Sequence, residues 1–208
     1  MLLVIVVSNL MSEKFDQASR NLYVKPPPGI EHFIFGFSQV MADSLWIRVI
    51  QDFSYCESLA GKSNCVGNGW VYSNVNTVSL LSPHFRLPVY FGGLLLTIVV
   101  KDSEGASKIF DRAVALFPDD WHILYAAAYQ AIFEEDNKPK AAKLLEAAAK
   151  NGAPSWVYAL ATKMYNESGQ RELSLRLYQT LKESGASDEI LVPVRNRLFP
   201  DSQKELSK

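Results

Sequence analysis

The chain has 208 residues, 48% of them apolar, and a formal net charge of −1, enough to bury a sizeable core within one domain. With no excess of Lys and Arg to neutralise phosphates, its charge argues against nucleic acid and against an anionic membrane surface as partners. Eleven glycines and ten prolines are ordinary usage, which excludes a low-complexity or collagen-like chain.

The first stretch, Met1 to Met11, is apolar and carries no charge before Glu13. A bilayer-spanning helix needs about 20 apolar residues, and a secretory signal opens on basic residues and closes on a small-residue cleavage site. Neither template fits. Two readings stay open: an apolar first helix packed on the rest of the fold, or a membrane anchor whose upstream part lies before this chain. Lys14, Arg20 and Lys25 on the downstream flank oppose a simple anchor under the positive-inside rule. A polar stretch then leads to Lys25-Pro26-Pro27-Pro28-Gly29, whose prolines withhold backbone donors and favour an extended spacer. The expected division is an apolar segment over 1–12, a linker over 13–30, a folded domain over 31–199 and a polar tail over 200–208.

From Glu31 to Tyr55 there is no proline, and Phe33, Phe37, Met41, Leu45, Val49 and Phe53 recur at four-residue steps, which predicts one long helix with a broad apolar face. Cys56 to Gly69 is rich in Gly, Ser and Asn and reads as a loop. Both cysteines lie in it, nine positions apart, so Cys56 and Cys65 are either bridged across a pinned insertion or two free thiols in a reducing compartment. Gly61-Lys62-Ser63 resembles the end of a phosphate loop, but Cys56 stands where the opening glycine belongs and a helix precedes it instead of a strand. A nucleotide-dependent enzyme is therefore a remote alternative.

The remaining helices are expected over Trp70 to Leu81, Leu87 to Val100, Trp121 to Phe133, Pro139 to Lys150, Pro154 to Glu167, Arg171 to Glu183 and Asp188 to Leu198. Asp119 and Asp120 suit a cap, and Gly152, Gly169 and Gly185 stand just past helix ends. The charge-free run from Val89 to Val100 is too short for a bilayer and predicts an interior helix covered on all sides, with Gly92 and Gly93 at a close helix approach. Pro193 inside the last helix predicts a kink or a later start. The Glu134-Glu135-Asp136 cluster lacks the spacing of a calcium loop and reads as a solvated turn. His32, His84 and His122 lie in no motif that supplies a nucleophile or a metal, so no catalytic residue, metal or cofactor is expected.

Ala106, Phe110, Ala113 and Pro118 recur as Ala141, Leu145, Ala148 and Pro154, then more loosely as Ser174, Tyr178 and Leu181, and weakly upstream as Val71, Val75, Val78 and Pro83. A period near 34 residues of this kind marks stacked helical pairs. The pattern resembles the tetratricopeptide repeat (TPR) family, although Ser174 takes the place of Ala and the signature Gly and Tyr of the first helix are mostly replaced. Ala42 to Arg48 is similar to the first helix of bacterial envelope-associated members of that family, which follows a Pro-containing linker.

The resemblance implies an all-α solenoid of helical hairpins, about three to four repeats, acting as a non-enzymatic scaffold or adaptor. It further implies a membrane-tethered place in an envelope complex of the pilus or secretion type, facing the periplasm, with a soluble cytosolic adaptor as the alternative. In such stacks the first helix of each pair lines the concave face that holds a protein or peptide. Here the matching positions are Phe91 and Leu95, Tyr125 and Tyr129, and Tyr158 and Tyr165; spacings of four and seven put each pair on one side of its helix. Core packing is the competing reading for all six, most strongly for Phe91 and Leu95. The Lys, Asn and Arg set by which some chaperone-binding members clamp a terminal carboxylate is not found at its positions.

Overall fold

A computed structural model describes residues 24–32, 35–58 and 65–199. The expectations for Met1 to Met11, for most of the linker, for Gly61-Lys62-Ser63 and for the tail fall outside them. Within the described residues the protein is all-α, with nine α-helices, a 3₁₀ turn at Ile30–His32 and a π-helical turn. The helices are α1 (Ser38–Ser58), α2 (Trp70–Leu81), α3 (Arg86–Leu95, continued by the π-turn Leu96–Val100), α4 (Ser103–Leu116), α5 (Trp121–Phe133), α6 (Lys138–Lys150), α7 (Trp156–Glu167), α8 (Arg171–Glu183) and α9 (Asp188–Leu198). None of them is long and apolar enough to cross a membrane.

Local chemistry sets these boundaries. Asp102, Asp120 and Asn137 each accept a backbone N–H of the first turn they precede, satisfying donors that no helical carbonyl can reach. Gly152 and Gly169 take φ of +92° and +76° just past α6 and α7, the left-handed turn that side chains resist. The long helix expected from Glu31 starts later, at Ser38, because Gly36 adopts φ +89° and breaks the run. At its other end α1 runs on through Cys56, which the sequence assigns to a loop. α9 neither kinks into two elements nor starts late; it continues through Pro193.

Every second helix lies beside the last. α3 and α5 lie side by side in the same direction: Arg86 at the start of one forms a two-point ion pair with Asp120 at the start of the other. Further along, the Thr97 hydroxyl donates to Gln130 Oε1 at 2.6 Å. Tyr125 meets Trp156 edge-to-face at 5.7 Å, aligning α5 with α7. Asn166 donates to the Arg197 carbonyl at 2.9 Å, aligning α7 with α9. The even-numbered helices are cross-linked likewise, Arg112 to Ser79 at 3.1 Å and Lys140 to Asp111 at 2.8 Å. Small residues allow these layers to touch, with Ala106, Ala113, Ala141 and Ala148 fully buried.

α3 is held on two sides by its glycines. A Cβ on Gly92 would stand 2.6 Å from Val75 of α2, and one on Gly93 would stand 2.7 Å from the Phe110 ring of α4. Coverage on all sides, which the charge-free run predicts, does not occur: Leu87, Phe91 and Ile98 face outward and are exposed. The run is charge-free because its outer face is apolar too. Two core clusters meet on α5, one reached by Ile123, Ala126 and Ala127, the other by Leu124, Ala128 and Ala131. Cys56 and Cys65 are fully buried in the first, bridged with Cα atoms 5.5 Å apart.

Candidate binding face

Three surface cavities open along the odd-numbered helices. The first, about 390 Å³, lies between α1 and α3 and is wholly apolar, with Trp46, Ile50, Phe53, Phe91, Leu95 and Ile98 in its wall. The second, about 350 Å³, lies between α5 and α7 around Tyr125, Tyr129, Phe133, Lys163 and Glu167. The third, about 550 Å³, lies between α7 and α9 around Trp156, Lys163, Pro193, Asn196 and Arg197.

Residues 34 positions apart on α3, α5 and α7 build these walls. Phe91, Tyr125 and Ala159 are spaced by 34 residues, as are Leu95, Tyr129 and Lys163, and again Val99, Phe133 and Glu167. All nine line one of the three cavities. The chemistry passes from aliphatic and aromatic on α3, through aromatic on α5, to Ala159 and the charged pair Lys163 and Glu167 on α7. Several rings stand in water: Phe91 is 50% exposed, Tyr129 42%, Phe133 64% and Trp156 50%. Single exposed apolar side chains are ordinary, but rings gathered in register along one face are the usual mark of an interaction surface.

Of the six residues named from sequence, Phe91 and Leu95 share the first cavity, and Tyr125 and Tyr129 share the second. Tyr158 and Tyr165 line none of them. Tyr165 is 3% exposed and its hydroxyl donates to Glu146 of α6 at 2.6 Å. Burial, then that carboxylate, push its pKa above the ordinary phenol value. Tyr158 is half-buried beside the same helix, and burial raises its pKa also. Both rings therefore serve the packing of α7 on α6. The sequence reading missed Trp46, Ile50, Ile98, Phe133, Trp156, Lys163 and Arg197. A 34-residue offset applied to Phe91 and Leu95 reaches Lys163, whereas a search for tyrosines passes over it.

Electrostatics sort the face. Asp120, beneath the α3–α5 edge, is held down to about 2 by its hydrogen bond from Arg86. Glu167 is held below its usual range, first by Lys138, whose Nζ lies 3.0 Å away, and Lys163 stands 3.6 Å from its other oxygen. Glu135, expected in a solvated turn, instead faces inward, accepting from Ser107 at 2.7 Å and from Lys140 at 3.0 Å. Among the described residues no group of three His, Cys, Asp or Glu gathers as a metal site. The chain matches no family model, no curated protein and no solved structure.

Proposed function

We propose that the chain is a non-enzymatic scaffold of the TPR type, a helical-hairpin solenoid that holds a protein or peptide along the face of its odd-numbered helices. One observation carries the reading: three equivalent positions, 34 residues apart, line cavities on successive helices. Aromatic rings that are half wet and half packed are what recognition surfaces are enriched in. From α2 to α6 the start of each helix is followed 33 to 35 residues on by the start of the next helix but one, in keeping with stacked hairpins.

The proposed setting is a bacterial envelope complex of the pilus or secretion type, with the Met1 to Met11 segment as a membrane tether. The Cys56–Cys65 bridge favours this over a cytosolic adaptor, since structural disulfides persist in oxidising compartments. Protein isolated from its native cell should resist alkylation at both cysteines, and two freely alkylated thiols would return the reading to the cytosol.

The binding face is tested with Tyr129→Ala and Phe133→Ala. Both rings are exposed, so each variant should melt within a few degrees of the wild type. Capture of envelope proteins from detergent-solubilised native membranes should be lost, because truncating a binding hot spot costs about 2 kcal/mol or more. Undiminished capture of the same proteins by both variants would place recognition elsewhere.

A further inference from the structure

The three cavities differ in charge as well as in shape, and the difference runs in one direction. Next to α1 the wall holds no polar side chain among its lining residues. In the middle, one ion pair sits among rings: Lys163 lies 3.6 Å from Glu167, whose charge is met a second time by Lys138 at 3.0 Å. At the far end Lys163 and Arg197 flank the half-exposed Trp156, with the Asn196 amide between α7 and α9, and among the described residues no carboxylate lines the cavity. Glu167 pairs with Lys163 from outside that lining, and its charge is already met by Lys138, while Glu189 accepts from the Ser155 hydroxyl at 3.2 Å. The face is thus apolar at α1 and α3, aromatic at α5, and cationic at α7 and α9.

From this gradient, and resting on the reading of this face as a protein-binding surface, we infer that its occupant is one protein segment, apolar where it meets α1 and α3 and acidic where it meets α7 and α9. Charge complementarity decides the acidic end. A segment bringing lysines there would meet Arg197 and the excess positive charge that Lys163 and Lys138 leave around the single carboxylate of Glu167, and one bringing apolar groups would leave that excess under it without water. The apolar end is decided by the first cavity, where a charged side chain would lose its hydration against Trp46, Ile50 and Phe91 and find no partner. The span also sets a length. Adjacent helices sit about 8 to 10 Å apart, so the path from α3 to α9 is roughly 30 Å, which about ten extended residues cover at about 3.3 Å each.

The test uses synthetic peptides of about twelve residues, amidated at the C-terminus so that no terminal carboxylate contributes. Each has a Leu/Phe block and a second block of Glu, Gln or Lys, made in both orders, and each carries a photo-crosslinking phenylalanine at one end. Affinity is read by fluorescence anisotropy on the full chain. A Glu-block peptide in one of the two orders should bind about five- to tenfold more tightly than its Gln counterpart, with the Lys version weaker still. Lys163→Gln together with Arg197→Gln should bring the Glu peptide's affinity down to that of its Gln counterpart, with a melting temperature within a few degrees of the wild type. Crosslinks from the apolar end should fall on α1 and α3, and those from the acidic end on α7 and α9. Equal affinities for Glu and Gln peptides, or crosslinks in the reverse arrangement, overturn the inference and leave the binding face standing. If no peptide binds, the protein-binding reading and this inference fall together.

Discussion

Asp120 shows how much one side chain can carry. Its carboxylate caps α5 through the backbone N–H of His122 at 3.0 Å and also receives Arg86 from the start of α3. Its folded-state pKa, about 2, lies below the ordinary 3.8. A depressed pKa means the contribution is fully present above about pH 4 and is lost as pH falls toward about 2. Asp120→Asn keeps a good cap and removes the charge, so the variant should lose about 1 to 2 kcal/mol at pH 7, allowing for solvent screening. Chemical denaturation at several pH values should show the gap closing between pH 4 and pH 2, and a gap independent of pH would mean that the ion pair contributes nothing. The tyrosines make the complementary point. Tyr129 and Tyr165 are the same residue at similar helical positions, yet one is wet and the other is locked onto Glu146, and nothing in their local sequence tells them apart.

At the scale of one element, α3 is the most constrained helix. Gly92 and Gly93 are poor helix formers, each costing about 1 kcal/mol relative to Ala in a helix interior. By propensity alone, Gly93→Ala should stabilise. The Phe110 ring 2.7 Å from the added Cβ is buried and cannot swing away, and Val75 beside Gly92 is branched at Cβ and fully buried. Overpacking of this kind costs about 1 to 3 kcal/mol. Gly92→Ala and Gly93→Ala should therefore both lower the melting temperature, and a rise in either would show that α2 and α4 can retreat from α3. The π-turn that follows ends at Lys101, whose φ is +60°, and it places Thr97 against buried Gln130. Gln130 Nε2 in turn donates to the Ser103 carbonyl at 3.1 Å, so one buried amide joins α3, α4 and α5. The widened turn also turns Ile98 out to the surface beside the first cavity.

Over the described residues, two core clusters meet on α5, so damage to one should spread little into the other. The Cys56–Cys65 bridge belongs to the first cluster, tying the end of α1 to the turn before α2. That turn is anchored onward, since Gly67 N–H donates to Asp102 at 3.1 Å and Asp102 caps α4. Replacing both cysteines by serine should cost about 2 to 3 kcal/mol for a loop of this size. Hydrogen exchange should show the loss in α1 and α2, with α6 to α8 still protected, as expected where each unit contacts its neighbours. Equal loss across all helices would show a single cooperative core instead.

Much of the helix plan was legible in the sequence because it rests on short-range chemistry. Asp120 as a cap, glycines past helix ends and the small residues Ala106 and Ala141 each act within a few residues of themselves or repeat at a fixed spacing. The two positive charges at the third cavity were present in the chain as well, but nothing local associates Lys163 with Arg197. Tertiary packing decided that association, by laying α7 beside α9. It also decided which apolar residues stay in water: the apolar run of α3 reads the same on every side, and only the neighbours on the Gly92 and Gly93 sides separate its buried face from Phe91 and Ile98. Periodicity identifies that a helix has faces, whereas burial depends on what a distant part of the chain brings against each one.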